Sequence, residues 1–356
     1  MAADTEMSDM DKATQLLEST KALAKHEILS APMVVAPDLE EIGDGNTSPS
    51  LLGWIDVADI LRAFLTFLQR SGKPLPTKML ALMTVLEKEG PEFAEKLLVT
   101  VRGVEDRGLV WQTEGSSTSL MSAIREMFLR QGRAPLTDYE ACRAGGETKV
   151  VHRIAVFESH GEITNVISQT DVMRFLLAHI DELGNLGSRS LEDLGMTTGK
   201  PPVLSVNPHV PALLAYDQMA RQQVSGAPVV ADSGELIANL SISDLRAITS
   251  DHFGVLALPV AEFLAVEHQT AYIGYSVKAS DHSRHPFFAS SKRDGGPQKG
   301  DIQLFTVRRS TTLKELLNQY VNQHVHRVYL VTDEETPRVE AVITPTDVMR
   351  LLAGVW

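Results

Sequence analysis

The feature that most constrains this chain is a short pattern that comes round four times. An apolar stretch, a small polar residue, two variable positions and an aspartate, then a helix-like apolar pattern, recur at LGWIDVADIL (52–61), TNVISQTDVMRFL (164–176), IANLSISDLRAI (237–248) and EAVITPTDVMRLL (340–352). The aspartates are Asp59, Asp171, Asp244 and Asp347. Three residues before them stand Ser168, Ser241 and Thr344, with Asp56 in the first copy. Self-similarity at this interval predicts stacked supersecondary units rather than one continuous domain.

A second unit precedes each motif: an amphipathic helix running into a β-branched strand. It reads KALAKHEILSAPMVV, MFLRQ with VVHRIAVF after it, MARQQVSGAPVV and VNQHVHRVYLV. Pro228 precedes Asp244 by 16 residues, Ala155 precedes Asp171 by the same 16, and Tyr329 precedes Asp347 by 18. Leading strands follow from LVWQT, PPVLSV and QLFTV, while copy 1 has no convincing one and reads as incomplete at its start. The order per repeat is therefore strand, helix, strand, strand, helix, an α+β unit.

Polar inserts lengthen copy 1 at 36–50 and copy 2 at 134–149. The predicted units are 1–70, 106–183, 192–250 and 257–354, with a loop near 276–301 in the last. A unit of about 60 residues has a small core and an exposed apolar face. Each should close its core on its neighbour, 1 with 2 and 3 with 4, across the Gly- and Ser-containing DELGNLGSRSLEDLG (181–195).

Composition narrows the function classes. The chain has 356 residues, 33 basic and 46 acidic, for a net charge of -13. That balance argues against nucleic acid or an anionic membrane as the main partner, though not against a small anion in a local basic pocket. One cysteine, Cys142, precludes an internal disulfide and suits a reducing compartment. The acidic start MAADTEMSDMDK is no secretion signal, and no apolar run reaches the roughly 20 residues of a membrane span. A cytoplasmic or nuclear location is expected.

On these motifs the chain resembles the CBS-domain superfamily. VHRIAV and VHRVYLV, in copies 2 and 4, are similar to the gamma regulatory subunits of AMP-activated and SNF1-related protein kinases. LRAITSDHFGVLALPVAEFL looks like the SNF4-like, PV42-type branch. The resemblance implies four CBS repeats paired into two Bateman modules that form a pseudo-symmetric disc. It also implies adenine nucleotides (AMP, ADP or ATP) near the disc centre, and the catalytic and scaffold subunits of a Ser/Thr protein kinase as partners. Ribose would rest on Asp59, Asp171, Asp244 and Asp347. Phosphate would rest on His152, Arg153, His326, Arg327, Ser168, Ser241 and Thr344. Two departures stand out: Leu29 occupies a position that is basic in animal gamma subunits, and copy 2 keeps an aspartate, Asp171, where those have none.

The chemistry agrees with that implication, against a plainer reading. A carboxylate can take both hydrogens of a ribose cis-diol. Yet S/T-x-x-D is also close to a capping box, and for one copy capping is the better account. Four copies in matching contexts favour a ligand, and both roles can coexist because a helix start also attracts phosphate. Arg153 and Arg327 offer planar forks to phosphate, and His152 and His326 add charge if an anion raises their pKa. Adjacent strand residues face opposite sides, so either the strand twists off at each His-Arg pair or its two members serve different sites.

Other motifs fall away. GMTTGK (195–200) has three residues between its glycines where a P-loop needs four, and Pro201 stands where Ser or Thr is required. His282 and His285 lack further metal ligands, and Trp54 and Trp111 read as core residues. No cofactor, metal site or catalytic constellation is expected. The leading function is a non-catalytic nucleotide sensor; the alternatives are an interaction scaffold without nucleotide, and a binder of another adenosine compound such as S-adenosylmethionine.

Overall fold

A computed structural model describes residues 23, 25–26, 28–35, 50–70, 72, 74–95, 110–112, 119–129, 151–157, 163–246, 248, 250–268, 304–333 and 336–354. The insert at 36–49, the one at 134–149, Cys142, the segment 276–301 with His282 and His285, and the side chains of Trp54 and Trp111 lie outside that description.

The same unit recurs in three dimensions. Repeat 1 contributes β1 (Ser30–Val35) antiparallel to β2 (Ser50–Asp56), then α1 (Val57–Arg70). An additional helix, α2 (Met79–Ala94), follows. Repeat 2 has β3 (Val110–Gln112), then α3 (Leu120–Ala123) running into a π-helical turn (Ile124–Phe128). β4 (Arg153–Phe157), β5 (Ile163–Ser168) and α4 (Gln169–Ala178) complete it. Repeat 3 has α5 (Ala212–Arg221), β6 (Gly226–Val230) and β7 (Leu236–Ser241); α6 (Val260–Glu267), in the stretch expected to open repeat 4, packs into the core of repeats 1 and 3. Repeat 4 has β8 (Thr306–Val307), α7 (Leu313–Asn322), β9 (Val328–Val331), β10 (Val339–Ile343) and α8 (Pro345–Ala353).

The three leading strands fall where they are expected. β3 runs parallel to β4, β8 runs parallel to β9, and Val206 forms a parallel bridge to Val229. Among the described residues repeat 1 has only its antiparallel pair. Repeat 3 departs from the pattern after its motif. In place of an α-helix it makes two 3-10 segments, Ile242–Leu245 and Ser250–Ala257. Its motif is followed by Arg246, Ile248 and Ser250, where repeats 2 and 4 continue VMRFLLA and VMRLLA, rich in the Met, Arg, Leu and Ala that favour a helix.

The cores do not close as the chain order suggests. One apolar core joins repeats 1 and 3: Phe64, Leu65 and Leu86 pack with Tyr216, Phe253 and Phe263. The other joins repeats 2 and 4: Ile154, Met173 and Leu176 pack with Leu316, Tyr320 and Met349. Helix α4 lies on α7, and α1 lies on α5. Neighbouring repeats meet through their sheets instead. Leu236, Tyr329 and Val331 form a small apolar contact between repeats 3 and 4, and Leu236 N donates to Pro337 O. Helices carry the broader apolar stripe and so hold the larger cores; the sheet faces leave a thinner, more polar seam.

Candidate functional site

The four motif aspartates share one local geometry. In each, the carboxylate caps the helix or 3-10 turn it opens, accepting from the backbone N–H three residues earlier. Asp171 Oδ2 accepts from Ser168 N (2.9 Å) and Ser168 Oγ (2.6 Å). Asp347 Oδ2 accepts from Thr344 N (2.8 Å) and Thr344 Oγ1 (2.9 Å). Asp244 Oδ2 accepts from Ser241 N (2.7 Å), and Asp59 Oδ2 from Asp56 N (3.3 Å). The capping-box reading thus holds in every copy, and Ser168, Ser241 and Thr344 serve it.

The other oxygen faces a cation each time, and here the copies differ. Asp59 Oδ1 takes Arg62 (3.0 Å), Asp171 takes Arg174 (2.5 Å), Asp244 takes His268 (3.6 Å) and Asp347 takes Lys200 (2.5 Å). The side chains of Asp59, Asp244 and Asp347 are 1%, 9% and 10% exposed, against 42% for Asp171. Burial works to raise the Asp171 pKa, but hydrogen bonds from Ser168 and the Arg174 guanidinium outweigh it and hold the carboxyl below its ordinary value. In copy 3, the bond to Asp244 raises the His268 pKa, while burial and the Asp244 charge raise that of Glu267.

The His-Arg pairs converge. His152 and His326 stand just before the first residues of β4 and Val328 of β9, so the alternation of a strand does not separate them from Arg153 and Arg327. His326 is exposed, yet crowding by protein and then the charges of Arg327, Arg153, His152 and Arg246 push its pKa down to about 4. Four basic side chains therefore sit within electrostatic reach of His326, in a chain of net charge -13. Arg246, from the 3-10 turn of repeat 3, has no place in the sequence motif; its Nε is buried without a hydrogen-bond partner. Only a recurring basic residue two or three positions past the motif aspartate (Arg62, Arg174, Arg246 and Arg350) would have signalled it.

Each arginine crosses to the repeat before its own. Arg153 Nη1 donates to Ser30 Oγ (2.5 Å) in β1. Arg327 Nη1 donates to Ser241 Oγ (3.0 Å) and Nη2 to Ser225 Oγ (2.8 Å). The Arg327 guanidinium lies against Gly226, where a Cβ would stand 1.7 Å from Nη1. Burial lowers the pKa of both arginines, and the Asp56 charge works against this at Arg153. The aspartate that replaces Ser or Thr in copy 1 thus supplies counter-charge that Ser241 does not. Leu29, the second departure, packs against the core of repeats 1 and 3.

Beside Arg246 an apolar cavity of about 30 Å3 is lined by Val57, Phe64, Leu245 and Ile248. It has room for little more than a water molecule and so is no place for a purine. Among the described residues no group of three or more His, Cys, Asp or Glu could hold a metal, and no helix is long and apolar enough to cross a membrane.

Comparison with known proteins places these observations. Residues 191–251 and 300–354 match the CBS domain. Protein SDS23 of Candida glabrata is 22% identical over 201 residues, 52% of this chain and 33% of that protein. Protein sds23 of Aspergillus niger is 24% identical over 305 residues, 83% of this chain and 50% of that protein. The chain thus spans a third to a half of the length of these relatives. Among solved structures, protein MJ1225 from Methanocaldococcus jannaschii, a proposed archaeal homologue of γ-AMPK, superimposes with a TM-score of 0.54 at 16% identity, over 95% of this chain and 93% of that one. At that identity the likeness speaks for the fold. The CBS domain is thus matched in repeats 3 and 4, and the same strand and capping geometry recurs in the repeats before them.

Proposed function

We propose that the chain is a non-catalytic regulatory protein that works as a CBS-repeat interaction scaffold, built to hold its shape without a nucleotide in every repeat. The observation that carries this reading is the state of the motif carboxylates. Three of the four are nearly sealed from solvent, and all four are shared between a helix or turn cap and a cation of the same chain. Such carboxylates stabilise the fold and leave little for a sugar to bind. The relatives named SDS23 are consistent with a regulator of this repeat class, and a protein-kinase partner of the SNF1/AMPK type has the fold alone behind it.

A second reading, adenine-nucleotide binding, is favoured by one specific feature. The basic cluster of His152, Arg153, Arg246, His326 and Arg327 is open to solvent at its two histidines, and Asp171 beside it is the exposed motif carboxylate. A phosphate there would offset the charges of Arg153, Arg246 and Arg327 and accept hydrogen bonds from the two histidines, with a ribose on Asp171.

Mass spectrometry of small molecules released from the purified full chain, followed by calorimetry with AMP and ATP, separates the two. The scaffold reading expects no co-purifying nucleotide and no more than one weak site. Two or more tightly held equivalents would overturn it. Loss of a single site in Arg327→Ala would establish the basic cluster as the nucleotide's anchor.

A further inference from the structure

The linker between repeats 2 and 3 is stapled to repeat 4. Leu191 N donates to Thr311 O and Leu313 N to Arg189 O, Ser190 bridges to Thr312, and Leu191 and Met196 are buried in the core of repeats 2 and 4. At its end Gly199, with φ +68°, turns the chain through a conformation that suits glycine. The next residue, Lys200, is thereby delivered to Asp347, with Nζ 2.5 Å from Oδ1. Both side chains are largely buried, Lys200 at 13% exposed. Since Oδ2 is held by the backbone and hydroxyl of Thr344, both oxygens of this carboxylate are engaged by the protein.

We propose that Lys200 is a specificity-determining residue that closes the repeat 4 carboxylate to sugar hydroxyls, leaving Asp171 as the motif carboxylate open to a ribose. A diol that displaced the ammonium would bring neutral donors to a buried carboxylate and strand a cation in a low-dielectric space. In repeat 2 the competing Arg174 is 55% exposed on a single helix, and releasing it to water is a small perturbation. The same motif thus has opposite availability in two repeats, decided by a residue 147 positions from the carboxylate.

This deepens the nucleotide reading above, and its test is arranged so that the two fail separately. Full-length wild type, Lys200→Met, Asp347→Asn and the double variant are titrated with AMP by calorimetry. Lys200→Met is expected to take one equivalent more than wild type, an increment absent from the double variant, while Asp347→Asn alone binds as wild type does. No increment in Lys200→Met, or a loss of about ten-fold in affinity for Asp347→Asn, overturns the proposal. A wild type that binds no AMP removes the nucleotide reading, and the increment in Lys200→Met still decides the role of Lys200. Reductive methylation of wild-type lysines, read by mass spectrometry, needs no variant to fold. Lys200 should react about ten-fold more slowly than the exposed Lys314, with or without saturating AMP. AMP-accelerated labelling of Lys200 would show a ribose displacing it and would overturn the proposal.

Discussion

Arg327 and Gly226 make one unit, because the guanidinium fills the space a side chain would need. Gly226→Ala must push the guanidinium off Ser225 and Ser241, and hydrogen bonds of a charged donor contribute about 1.5–3 kcal/mol each. Chemical denaturation should show a loss of about 1–3 kcal/mol in the wild-type background and almost none in Arg327→Ala, since the second variant has already removed the clash. His326 allows a test of sign. With its folded pKa near 4 and an ordinary value of 6.5, the unfolded chain takes up a proton that the native protein refuses as pH falls between them. Acidification across that window should therefore destabilise wild type more than His326→Gln. The two stability curves, measured by denaturation at pH 7 and pH 4.5, should converge or cross on the acid side. The raised pKa of His268 acts oppositely: its contact with Asp244 stabilises below about 6.5 and fades as pH rises through the raised value.

At the scale of elements, helix α2 lies between the recurring units, where no repeat motif points to it, and it contains Gly90 and Pro91, a pair that disfavours a helix. The helix nevertheless runs to Ala94, because Pro91 falls in its last turn and Phe93 is held by tertiary contacts. Phe93 stands 5.3 Å from Phe64 and 6.4 Å from Phe253, and Phe64 stands 4.4 Å from Phe253, ring to ring. Three segments distant in sequence meet in that cluster. Phe253→Ala should cost about 3–5 kcal/mol by denaturant titration, the range for a buried aromatic whose cavity cannot collapse. The missing second helix of repeat 3 has the converse explanation. Its capping box was legible in Ser241 and Asp244, but a cap starts a turn without guaranteeing the helix beyond it.

On the scale of the whole molecule, each large core draws on both halves of the chain. Neither repeats 1 and 2 nor repeats 3 and 4 alone can bury those helix faces. Fragments 1–186 and 187–356 expressed separately should lack the dispersed amide spectrum of a packed fold, and should recover it when co-expressed. A well-dispersed spectrum from either fragment alone would count against shared cores. What could be read from residue order was the repeating unit, its strands, and the caps that place each motif carboxylate at a helix or turn start. These are contacts over three or four residues, and local spacing encodes them. Which repeats share a core, that Arg246 joins the basic cluster, and that Lys200 rather than open space faces Asp347 were settled only by the folded chain. Apolar helix faces are interchangeable in composition, and a cation 147 residues away leaves no periodic trace, so packing alone could choose among them.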